Sequence, residues 1–169
     1  MSLKNQFITK QLNRKLQELK RHISPVNLSE VKTAGVLWKA GDRDVFNKML
    51  TRLKEKGIRV SDLCCGSQRG PARDEVTLSL ADFSFFGKLQ NQKTADFIGN
   101  DFDLLIDISL AKGTECQFVR ALSKAKFKAG WSETTIPDYF DLSIDIRKRK
   151  DPGYLAEQLI YYLNEINKK

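Results

Sequence analysis

Hydrophobic positions change their spacing several times along the chain, and each change marks a predicted element. Leu3, Phe7, Ile8, Leu12, Leu16, Leu19 and Ile23 recur every three or four residues, which is one face of a helix across residues 1–24. Ser24-Pro25 ends it, because proline disfavours helical backbone in the residue before it. The apolar stripe needs cover, from the rest of the chain, a second copy or a partner.

From residue 33 the pattern becomes short apolar runs separated by helical stretches. Thr33–Trp38 reads as a buried strand. Asp42–Lys56 reads as a helix, with Val45, Phe46, Met49, Leu50 and Leu53 on one side and Gly57 as its stop. Ile58–Cys65 is a second strand, completing a βαβ unit. Residues 66–74 are a turn-rich loop, Glu75–Leu80 alternates as a strand does, and Ala81–Gly87 fits neither period.

Asn91–Phe97 predicts a short helix, Phe102–Ser109 the clearest strand, and Thr114–Lys124 another helix. Phe127–Trp131 and Phe140–Ile146 are further strands. Asp151-Pro152 supplies a cap and a first-turn proline for a last helix reaching Asn167. Its inward face is Leu155, Leu159, Tyr162, Leu163 and Ile166, with Ile160 and Tyr161 partly outside.

Strands that are apolar on both faces and alternate with helices predict an α/β fold. The expectation is a single Rossmann-like, mainly parallel sheet with helices on both faces. It comprises residues 30–169 and follows the amphipathic basic helix at 1–24.

Composition narrows the class. The 169 residues are 41% hydrophobic and 30% charged, as in an ordinary globular domain rather than a disordered or membrane one. No run is long enough to cross a bilayer, and the start lacks a secretory signal, so a cytoplasmic location is expected. The net charge is +8, and its excess lies at the front, where residues 1–24 hold six basic side chains against one acidic. That segment carries no recognisable nucleic-acid motif, so nucleic acid is not a favoured partner and its outer face is read as solvated.

Three cysteines, two of them adjacent, do not make a disulfide framework, and Cys116 has no obvious partner. With His22 the single histidine and no CxxC, neither a metal site nor Cys-His catalysis is expected. Cys64 and Cys65 read as core.

Ligands of open α/β sheets lie beyond the carboxyl ends of the strands. That rule selects Lys39–Asp42, Cys65–Ser67, Ser109–Thr114, Trp131-Ser132 and Arg147–Lys150. The stretch Trp38–Asp44 holds one glycine where a dinucleotide fingerprint needs three, and a P-loop is absent, so no cofactor is implied. The ligand-binding candidates are Lys39, Gly41, Ser109, Thr114, Arg147, Lys148 and Arg149. The run Arg147–Lys150 precedes a helix N-terminus, which suits an anion.

Asp42 is the one catalytic candidate, as a general base; its simpler role is to cap the helix it precedes. Asp107 shares a strand face with Leu105 and Ser109 and is expected to accept backbone N–H bonds. Phe83, Phe85, Phe86, Trp131, Tyr139 and Phe140 are expected in the core, or else at a pocket or an oligomer interface.

The segments Phe102–Ser109, Ala121–Gly130 and Leu142–Ile146 resemble a family of short uncharacterised bacterial proteins. More remotely, residues 33–130 resemble the N-terminal half of heptosyltransferase-type glycosyltransferases. There an apolar strand leads to a Gly-Asp pair opening a helix, here Gly41-Asp42, and the resemblance implies that the aspartate is the general base. Those enzymes carry a second Rossmann domain, for which this chain is too short.

The reading that follows is a non-catalytic binding or interaction domain, self-associating through its first helix or exposed aromatics. One alternative is the sugar- or phosphate-binding half of a glycosyltransferase-like enzyme. Another is an accessory protein held on RNA or a membrane by its basic N-terminal helix.

Overall fold

A computed structural model describes residues 1–66, 77–133 and 139–167. The strands are β1 (Thr33–Lys39), β2 (Arg59–Cys65), β3 (Thr77–Leu78), β4 (Leu104–Asp107), β5 (Phe127–Ser132) and β6 (Leu142–Asp145). The helices are α1 (Leu3–Glu18), α2 (Arg43–Glu55), α3 (Gln92–Gly99), α4 (Thr114–Leu122) and α5 (Pro152–Glu165).

All six strands join one sheet in the order β3-β2-β1-β4-β5-β6, and every neighbouring pair is parallel. This is the order of a doubly wound Rossmann-type sheet, reversing direction between β1 and β4.

Alternation along the strands feeds two cores. Val36 and Trp38 of β1 and Leu104, Ile106 and Ile108 around β4 face α2 and α5, packing with Phe46, Met49, Leu53, Leu155, Leu159 and Leu163. Leu37 and Leu105 point to the other side, under α1, α3 and α4. The helices therefore cover both faces, as expected.

α1 belongs to this second layer. Ile8 and Leu12 are fully buried in the body, which at about 2 kcal/mol each is a substantial anchor for a surface helix. The middle of the stripe is thus covered by the chain itself, whereas Leu3 and Ile23 at its ends are 55% and 53% exposed. The helix ends at Glu18, however, not near Ser24. Residues 19–24 leave it because they find partners elsewhere: Arg21 pairs with Asp141 at 2.6 Å, and the Ser24 amide donates to the Lys126 carbonyl at 3.1 Å.

Two other expectations need correction. Tyr162 is 44% exposed rather than inward, whereas Leu155, Leu159 and Leu163 are buried. The aromatics divide: Phe83 and Trp131 are core, while Phe85 and Phe86 are exposed. Residues 67–76, which include most of the expected loop and the start of the following strand, lie outside the described residues.

Candidate site at the carboxyl edge of the sheet

At the point where the strand order reverses, side chains fill the crevice. Asp107 ends β4 with its carboxylate buried. Its Oδ1 accepts from the Ser109 amide at 2.8 Å and the Ser109 hydroxyl at 2.6 Å, and its Oδ2 accepts from Arg120 Nε. The guanidinium also donates to Ser109 Oγ at 3.3 Å and to the Ala111 carbonyl. Burial disfavours the Arg120 charge, but Asp107 outweighs it and raises the pKa.

Arg120 occupies a buried position on α4 one turn after Cys116. Beside it, the Cys65 thiol is held protonated by its hydrogen bond with Cys116 and by burial. Cys64 is pushed up to about 11, chiefly by burial and next by Cys65. All three cysteines are free and buried.

The Arg120 bonds clamp the loop after β4. Leu110 lies in that loop at φ 49°, a left-handed conformation that costs an ordinary residue roughly 1–2 kcal/mol. The bonds to Ser109 and Ala111 bracket the strained residue. Strain of this kind concentrates at ligand-contacting loops.

Next to this loop, at the ends of β4, β5 and β6, is a cavity of 220 Å³. Leu110, Trp131 and Ile146 form its apolar wall, and Ser132, Lys112, Glu133, Arg147 and Lys150 its polar lining. Glu133 accepts from Lys112 Nζ at 2.8 Å and from Lys150 Nζ at 3.2 Å; Lys112, foremost, holds its carboxyl below the usual range. Arg147 pairs with Asp145 at 2.6 Å and holds that carboxyl down to about 2. Arg120 lies 5.5 Å from the Trp131 ring centre, so the buried ion pair also supports the cavity wall. The Trp131 indole nitrogen is buried with no hydrogen-bond partner among the described residues.

The predicted candidates do not converge. Arg147 lines the cavity, whereas Lys148 is exposed and Arg149 turns away to lie 4.8 Å over the Tyr154 ring. Ser109 is 1% exposed and engaged with Asp107, Ala111 and Arg120, so it braces the loop. Thr114 is the half-buried first residue of α4.

Lys39 and Gly41 are exposed beyond β1, and nothing lies within 4 Å of where a Cβ on Gly41 would stand. Asp42 occupies the N-cap position of α2, but its side chain makes no capping bond. A 3-10 turn at Ala40–Asp42 leads into the helix and gives Asp42 a ψ of 29° instead of the extended backbone of a capping residue.

Arg120 and Glu133 were missing from the candidates, while Lys112 and Lys150 fell within the selected stretches Ser109–Thr114 and Arg147–Lys150 without being singled out. For Arg120 a signal existed: it shares a helix face with Cys116 and sits within the apolar stretch Phe118–Leu122.

Among the described residues, no group of His, Cys, Asp and Glu could hold a metal ion, and no helix is long and apolar enough to cross a membrane. Fold and site together define a single-sheet α/β protein whose switch point is closed by an ion pair and flanked by a small polar-rimmed cavity. The chain belongs to a family of unknown function, DUF6913, whose model matches residues 4–166. No curated protein matches it.

Proposed function

We propose that the chain is a binding domain for a small anionic ligand, held in the cavity beyond β4, β5 and β6. Its strongest support is the lining itself, where Lys112, Arg147 and Lys150 gather beside Trp131, whose buried N–H has no acceptor among the described residues. Unpaired buried donors are costly, and an anionic oxygen would satisfy this one. Lys112 and Lys150 now share Glu133, so either ammonium has further donors to offer an incoming anion.

The 220 Å³ volume is below the roughly 300–1,000 Å³ of drug-sized sites, which suits a compact phosphate or carboxylate with a short apolar or sugar body. Binding rather than chemistry fits the neighbouring groups: Asp107 is tied to Arg120, and the Cys65 thiol beside that pair is held protonated. The glycosyltransferase-like alternative places a base at Asp42, which is not among the residues lining this cavity.

Trp38 and Trp131 are the two tryptophans, so Trp38→Phe leaves Trp131 as a single reporter. Titrating that variant with inorganic phosphate, a sugar phosphate and a short dicarboxylate should give a saturable emission change with at least one of them. That compound should also raise the melting temperature of the unaltered chain. Both effects should vanish in Lys112→Ala/Lys150→Ala. Flat titrations with all three probes would defeat the reading.

A further inference from the structure

We infer that α1 and the turn at residues 84–88 form a docking surface for an anionic phospholipid bilayer. The turn is rigidly mounted. Ser84 N–H donates to the Lys88 carbonyl at 2.8 Å and Gly87 N–H to the Ser84 carbonyl at 3.0 Å. Gly87, at φ 76°, lies directly against the backbone of Phe7 and Ile8, where a Cβ would come within 2.5 Å of main-chain atoms.

This mounting presents Phe85 and Phe86 outward, 55% and 67% exposed, although both are large apolar rings. They pack with Phe7 of α1 as a three-ring cluster, with centroids 5.5–5.7 Å apart. Leu3, one helical turn before Phe7, is 55% exposed and extends the apolar surface. Exposed apolar clusters of this kind mark interaction sites, and a polar or charged rim indicates the partner.

Here the rim is cationic. From Phe86 and Phe7 a groove of 430 Å³ runs along α1 past Lys10, Gln11, Arg14 and Gln17. Lys10 and Arg14 make no ion pair among the described residues, and α1 has no acidic residue before Glu18. The inner stripe of α1 is already committed to the core, so the outer face is free to meet a partner.

Charge and shape select the occupant. A second copy would set the same cations against each other, so the face opposes symmetric pairing. Nucleic acid would satisfy the cations, but the three rings lie edge to face or tilted against one another, and Leu3 adds aliphatic surface that base stacking does not use. An anionic bilayer meets every part: phosphate headgroups reach Lys10 and Arg14 while the Phe tip and Leu3 enter the acyl boundary.

The full chain is tested by co-sedimentation with two vesicle preparations, pure phosphatidylcholine and an equimolar mixture with phosphatidylglycerol. Binding to the mixture should be at least about tenfold tighter, given two cations with no ion pair among the described residues. Phe85→Ser/Phe86→Ser and, separately, Lys10→Gln/Arg14→Gln should each reduce it several-fold. Both pairs are surface positions, and unchanged melting temperatures verify that they fold. Equal affinity for the two preparations, or full affinity in either variant, overturns the proposal. So does tighter binding to single-stranded polyuridylate than to the mixed vesicles, or a dimer in solution that Phe85→Ser/Phe86→Ser dissolves.

Discussion

Arg120 and Asp107 form a buried ion pair at the position where a doubly wound sheet ordinarily opens for its ligand. The pair seals that crevice and, through the Ala111 carbonyl, shapes the loop beside the neighbouring cavity. Its members depend on each other because neither can reach water.

Removing one partner strands a charge in the core. Asp107→Asn and Arg120→Met should each lower unfolding stability by about 3–5 kcal/mol in urea titrations. The double variant Asp107→Leu/Arg120→Met should lose clearly less than the sum of the two single losses. Additive losses would mean that the two side chains act independently.

Gly87 offers a backbone test. Alanine there has both a left-handed φ and a Cβ inside contact distance of the α1 main chain. Gly87→Ala should destabilise the protein by about 2 kcal/mol or more. It should also speed hydrogen exchange at α1 amides before those of β1. Wild-type exchange in α1 would show that the turn yields instead.

Arg21 holds the segment after α1 by donating to both Asp141 oxygens, at 2.7 and 2.6 Å, and to the Ala125 carbonyl at 3.0 Å. Asp141 also accepts from the Lys128 amide at 2.8 Å. Arg21→Ala should therefore cost about 1–3 kcal/mol, the usual range for charge-assisted bonds, and Asp141→Ala more, because it leaves Arg21 and the amide without acceptors. Equal losses in urea unfolding would contradict this ordering.

Lys128 predicts a pH dependence. Its Nζ donates to the Arg120 carbonyl at 2.7 Å and the Ala121 carbonyl at 3.0 Å, at the last turn of α4. Burial, aided by Arg21 and opposed by Asp141, pushes its pKa down to about 7. Because the unfolded-state value is 10.5, the unfolded chain binds more protons above pH 7, so this residue adds stability as pH rises and withholds it below. The useful window is about pH 7 to 8, before Cys64 and Cys65, with raised pKa values, draw the balance the other way at alkaline pH. Across that window wild type should gain stability relative to Lys128→Met. Parallel curves would show that Lys128 stays charged when folded.

Period and punctuation made most of the sheet legible. Phe102–Ser109 contains β4, and its alternation assigns Ile106 and Asp107 to opposite faces as observed. Asp151-Pro152 starts α5 with the expected side-chain cap, the Tyr154 amide donating to Asp151 Oδ1. The end of α1 was not legible, because Arg21 leaves the helix for Asp141, 120 positions away. The cavity was legible only by location. Which of four consecutive basic residues turn inward depends on how the chain leaves β6, and Arg120 reaches Asp107 only once α4 is docked.

Strand β6 has a consequence for how copies of this chain can meet. It forms one margin of the sheet, is four residues long and ends in Asp145, clasped by Arg147. Short, charged margins make poor templates for an incoming strand. Growth of a continuous intermolecular ribbon, the first step toward fibrils, is therefore blocked on that side, and lasting contact there must rely on side-chain surfaces.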